Sequence, residues 1–103
     1  MTNQEKGWQN YSNGTKFEMR SQYKLNKGSI LTHRSVGSRT PIDIISYRKD
    51  GNVWWVVCKR NGYIPPKEIK ALEKLISKTK EGHGNIYVKL AYMESKVIKF
   101  ITI

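Results

Sequence analysis

Six consecutive residues, Val53-Trp54-Trp55-Val56-Val57-Cys58, are apolar without alternation, and that run constrains the fold more than any other segment. Successive strand side chains point to opposite faces, so a strand with no polar position must be covered on both sides. Lys49-Asp50-Gly51-Asn52 reads as a tight turn just upstream, and Ile42–Tyr47 as the strand before it. The apolar run, extended to Lys59, is therefore predicted to be the return arm of a β-hairpin, central in its sheet.

The remaining elements follow from caps and spacing. Residues 1–14 are polar and rich in Asn, Gln and Gly, and read as a lead-in that Trp8 and Tyr11 could pin to a domain spanning residues 15–103. Thr15 suits the start of a helix running to Lys27, with Gly28 as its terminator and Phe17, Tyr23 and Leu25 as its apolar surface. Ser29–Arg34 alternates weakly, as a strand. A second helix is predicted from Pro66 to Lys80, because Ile69, Leu72, Leu75, Ile76 and Thr79 recur at helical spacing before Gly82. Lys67, Lys70, Lys74, Lys78 and Lys80 fall largely opposite that stripe, as a solvated face. Two last strands, Asn85–Tyr92 and Lys96–Ile103, flank a tight turn near Glu94-Ser95. The order α-β-β-β-α-β-β predicts a single α/β domain with a mixed central sheet flanked by helices.

Charge narrows the function. Nineteen Lys and Arg against eight Asp and Glu give a net charge of +11 on 103 residues, which favours a polyanionic partner; a basic solubility coat is the plainer alternative. No apolar run approaches a membrane span, and the first residues lack the apolar core of a secretory signal. The single cysteine, Cys58, cannot form an internal disulfide and fits a reducing, cytoplasmic setting. It is expected to be a packed apolar residue rather than a nucleophile. With His33 and His83 far apart, no zinc site of ordinary ligand spacing can be drawn.

The hairpin concentrates the chemistry. Asp43 lies near the start of its first arm and Lys59 near the end of its second, so the two should be neighbours on one face. A carboxylate beside an ammonium suits Mg²⁺-assisted phosphodiester hydrolysis, the acid holding the cation and the lysine polarising water. From these two residues alone, a surface salt bridge is the simpler reading. Arg34, Arg39 and Arg60 flank the pair, and their planar forks suit phosphate oxygens, with solvated loop charge as the alternative.

Glu18 on the first helix, the loop Arg34-Ser35-Val36-Gly37-Ser38, the strand opening Pro41-Ile42-Asp43 and the terminal Lys59 occur in the order and separation of a known pattern. From Phe17 to about Lys80 the chain resembles the archaeal Holliday junction resolvases of the PD-(D/E)XK nuclease superfamily. The resemblance implies a restriction-endonuclease-like fold and a homodimer that cuts branched DNA with Mg²⁺, for which Mn²⁺ can substitute. It makes Asp43 the main metal ligand, Lys59 the catalytic lysine, Glu18 a further acid and Ser38 a group near the scissile phosphate. Excess apolar strand surface points independently to a dimer.

One position departs from the pattern. The second metal carboxylate, two before the lysine, is replaced by Val57, which cannot bind a cation. Mg²⁺ uses few protein carboxylates, so Asp43, Glu18 and the Cys58 carbonyl could hold it, or Glu68 could reach back from the second helix. The simpler reading of Glu68 is an acid favouring the helix dipole. Restoring a carboxylate with Val57→Glu is expected to raise metal affinity. A DNA-binding protein that has lost catalysis is the alternative. A basic RNA- or ribosome-associated module is a third reading, without a repeated aromatic motif to carry it.

Overall fold

The computed structural model describes residues 3–35, 40–82 and 84–103. Two helices and five strands follow one another as α1 (Asn3–Asn26), β1 (Ser29–Arg34), β2 (Ile44–Arg48), β3 (Val53–Cys58), α2 (Pro66–Thr79), β4 (Ile86–Glu94) and β5 (Val97–Thr102). The strands form one sheet in sequence order, antiparallel except for the parallel β3–β4 pair, so the expected mixed α/β architecture holds. None of the described helices is long and apolar enough to cross a membrane.

The first helix begins at Asn3, not Thr15, so residues 3–14 are not an irregular lead-in. Gly7 and Gly14 weaken a helix by about 1 kcal/mol each relative to alanine, but no proline interrupts the segment and propagation continues through it. Its buried face also differs from expectation. Phe17, Ser21 and Leu25, spaced by four, point inward, whereas Tyr23 is 73% exposed. Gly28 has no left-handed conformation. An added Cβ there would meet the Arg48 guanidinium, which would have to shift to make room.

The turns obey local rules. Gly51 takes a φ of +90° in the β2–β3 hairpin, where the Asn52 amide donates to Asp50 Oδ1 at 3.0 Å. Between β4 and β5, Ser95 and Lys96 have φ of 51° and 64°, as a two-residue type I′ turn demands.

β3 is central, and its two faces carry separate cores. On the α1 side Leu25, Ile44, Val56 and Ala91 are buried, with Trp54, Cys58 and Phe100 against them. On the α2 side lie Ile42, Val57, Leu72 and Val88, joined by Trp55, Leu75 and Ile76. Trp54 and Trp55 thus pack in opposite layers, as the uninterrupted apolar run requires. In α2 the stripe holds except at Ile69, which is 41% exposed, and the five lysines of that helix and its cap face solvent.

Candidate active site

The antiparallel pairing of Ile44 with Val56 places Asp43 beside the carboxyl end of β3. Backbone bonds then fix the residue: its amide donates to Val56 O at 2.8 Å, and its carbonyl accepts from the Ser35 amide at 2.8 Å. The Cys58 amide donates to Asp43 Oδ2 at 2.7 Å, so the side chain is oriented as well as the main chain. Burial pushes the Asp43 pKa above the ordinary carboxylate value, and the Glu68 charge adds to this. The Cys58 hydrogen bond and Lys59 act the other way without cancelling it.

Glu18 reaches the same place from α1. Phe17 and Ser21 are buried against the sheet and set the helix rotation, which leaves Glu18 half-buried at the rim. Its pKa is raised by burial and by the Asp43 carboxylate, against the lowering effects of Arg34 and Lys59. Asp43, Arg34 and Lys59 are therefore within electrostatic reach of Glu18, and Lys59 of Asp43; the hairpin geometry bears on the Asp43–Lys59 proximity alone.

Lys59 is engaged by Glu68. Its Nζ donates to Oε1 at 3.2 Å and lies 2.9 Å from Oε2, in an ion pair that is about one-third exposed. Glu68 stands in the first turn of α2, as its helix-dipole reading requires. Its partner in space is nonetheless Lys59, and its charge is felt at Asp43. Oε2 is buried and makes no hydrogen bond despite its closeness to the ammonium. The signal in the sequence was the acid placed just after Pro65-Pro66, where no side chain caps the helix.

A cleft of about 630 Å³ opens at this end of the sheet, lined by Phe17, Glu18, Cys58, Lys59, Arg60, Asn61 and Met93. Arg60 thus borders the site as expected. Ser38 and Arg39, assigned to scissile-phosphate and backbone contacts, lie outside the described residues, as does His83. The Cys58 thiol is pushed up to about 12, chiefly by burial and then by the Asp43 charge, and stays protonated at neutral pH. It is a packed group and not a nucleophile.

Val57 is fully buried against Leu72 and Val88. A carboxylate at this position would enter the α2 core, so Val57→Glu does not simply extend the site. Among the described residues, no group of three or more His, Cys, Asp or Glu side chains is arranged to hold a metal ion. What the site offers is a pair, Asp43 and Glu18, with the Glu68 oxygen near enough to act on Asp43 electrostatically.

No family model, no curated protein and no solved structure matches this chain.

Proposed function

We propose that the protein is a DNA endonuclease of the resolvase-like, restriction-endonuclease-like kind, hydrolysing phosphodiesters in branched DNA with Mg²⁺. The observation that carries this reading is the pair of partly desolvated carboxylates, Glu18 and Asp43, with the Asp43 charge raising the Glu18 pKa, and Glu18 lining a cleft that Lys59 and Arg60 also line. Two partly buried acids within electrostatic reach of each other are stabilised when a cation joins them. A hard cation that keeps several waters fits two carboxylates, with the Cys58 carbonyl as a further candidate oxygen; Glu68 Oε2 is already paired with the Lys59 ammonium at 2.9 Å. Bound there, Mg²⁺ would supply Lewis acidity and a more acidic water. The chain's own part is to fix Asp43 through the Cys58 amide, to place Lys59 at the cleft, and to hold the DNA backbone with Arg34 and Arg60. A twofold junction calls for two copies, and Ile30 and Leu31 on the edge strand β1, 75% and 59% exposed, offer apolar surface for a homodimer.

The second reading is a DNA-binding protein that no longer cleaves. Its support is Val57, sealed in the core where the pattern has a carboxylate, and Lys59 tied to Glu68. A four-way junction cleavage assay with and without Mg²⁺, on wild type and Asp43→Asn, separates the two. Metal-dependent cleavage by wild type alone supports the nuclease. Tight junction binding without cleavage by either protein supports the second reading. Failure of wild type to bind DNA overturns both.

A further inference from the structure

Lys16 and Arg20 are four apart on α1 and so share one helix face. Together with Arg60, Phe17 and Met93 they line a second cleft of about 230 Å³. Phe17, Arg60 and Met93 also line the cleft that holds Glu18, so the two concavities are adjacent and share a wall. Among the described residues, no acidic side chain lines the second one. The ion pairs among the described residues are Lys59–Glu68 and Lys99–Glu94, which leaves all three cations of this cleft without a carboxylate partner. Like charges gathered around a concave wall repel one another and focus a positive potential into it. The lysines of α2 differ in this respect: Lys67 and Lys74 project from an exposed helix face and line none of these clefts.

We propose that Lys16, Arg20 and Arg60 form a phosphate-binding subsite that seats the DNA backbone next to the bond presented to Asp43 and Glu18. The inference rests on the DNA-cleaving or DNA-binding reading above and adds the path of the strand, which runs from the carboxylates across α1. Arg20 and Arg60 supply planar forks for phosphate oxygens, and Lys16 a point charge. Phe17 and Met93 form an apolar wall between the subsites. Glu18, two residues from both Lys16 and Arg20, faces the neighbouring cleft and does not neutralise this one.

The test uses the full chain and a fluorescent four-way junction, with anisotropy titrations over a range of salt in the absence of divalent cations. The double variant Lys16→Gln/Arg20→Gln removes two exposed side chains, and circular dichroism checks that it is folded. Its affinity is expected to fall by about tenfold or more, and its log–log salt slope to shrink by about 1.8, at ~0.9 for each phosphate that is no longer neutralised. Lys67→Gln/Lys74→Gln makes the same change in net charge and is expected to keep the wild-type slope. Equal losses in the two double variants would mean diffuse attraction and overturn the subsite. An unchanged slope in Lys16→Gln/Arg20→Gln, with wild type still binding the junction, overturns the subsite and leaves the functional reading standing. A wild-type protein that does not bind the junction overturns both.

Discussion

The two faces of β3 are built by different means. Under α2 the packing is apolar, with Ile42, Val57, Leu72 and Val88 forming its buried cluster, Trp55 packed against them, and Thr79 as the buried polar side chain of that helix. Under α1 two serines, Ser21 and Ser46, are fully buried, and a basic side chain organises the layer. Arg48 Nη1 donates to Leu25 O and Ser29 Oγ, both at 3.1 Å, and to Ser46 Oγ at 3.3 Å. Its guanidinium also lies 4.2 Å from the centre of the Trp54 ring. One helix is held by apolar area; the other is held in register by directional bonds to its last turn. The helix held by directional bonds is the one that carries Glu18.

Substitutions that exchange the two strategies have the largest effects. Val57→Glu sets an unpaired carboxylate in the apolar layer and is expected to cost about 3 kcal/mol or more in urea unfolding at neutral pH. The loss should shrink in acid, where the new group is protonated. Leu72→Ala leaves a cavity in the same layer, with an expected cost of about 2–5 kcal/mol. On the other face, Arg48→Met removes three hydrogen bonds to groups that can still pair among themselves, since Ser29 Oγ donates to Leu25 O at 2.7 Å and lies against Ser46 Oγ. The expected cost is therefore lower, about 1–2 kcal/mol by thermal or urea unfolding. A cost for Arg48→Met equal to that for Leu72→Ala would erase the contrast.

The smallest expected change has the opposite sign. Asp43 is raised above its ordinary pKa, so the folded protein holds this proton more tightly than the unfolded chain does. The associated stability is present at acid pH and is lost as pH rises through the raised value. Asp43→Asn is therefore expected to have a higher Tm than wild type at pH 7. The gap should close as pH falls below the ordinary aspartate range. A lower Tm for Asp43→Asn across the whole range would show that Asp43 is a stabilising group and not a strained one.

Much of the architecture was legible because strand and turn signals are local. The apolar run at 53–58 announced a central strand, the Asp50-Gly51 turn paired it with its predecessor, and that pairing brought Asp43 and Lys59 to one end of the sheet. The start of α1 was not legible, because two glycines and several asparagines lower helix propensity without breaking a helix. Nor was Ser21: apolar spacing favours Tyr23, while the layer above Cys58 takes a small side chain whose hydroxyl donates to Phe17 O at 2.9 Å. The acid after Pro65-Pro66 marked Glu68 as a first-turn residue of α2, but its pairing with Lys59 depends on where that helix docks.

The lone parallel pairing also sets an order of assembly. The β4–β5 turn closes over two residues, whereas Val53 meets Ile86 only after the chain has traversed residues 54–85. That is four doublings of loop length, at about 0.6 kcal/mol each, so the hairpins are entropically cheap and the β3–β4 seam is not. α2 is the segment that bridges the seam, and its burial of Leu72 against Val57 and Val88 holds the seam closed. In chain entropy, joining the two halves of the sheet is therefore the costlier step. The carboxyl end of β3 is completed on one side by β4, whose Met93 lines the cleft. The cleft therefore takes its final shape only when the whole chain has folded.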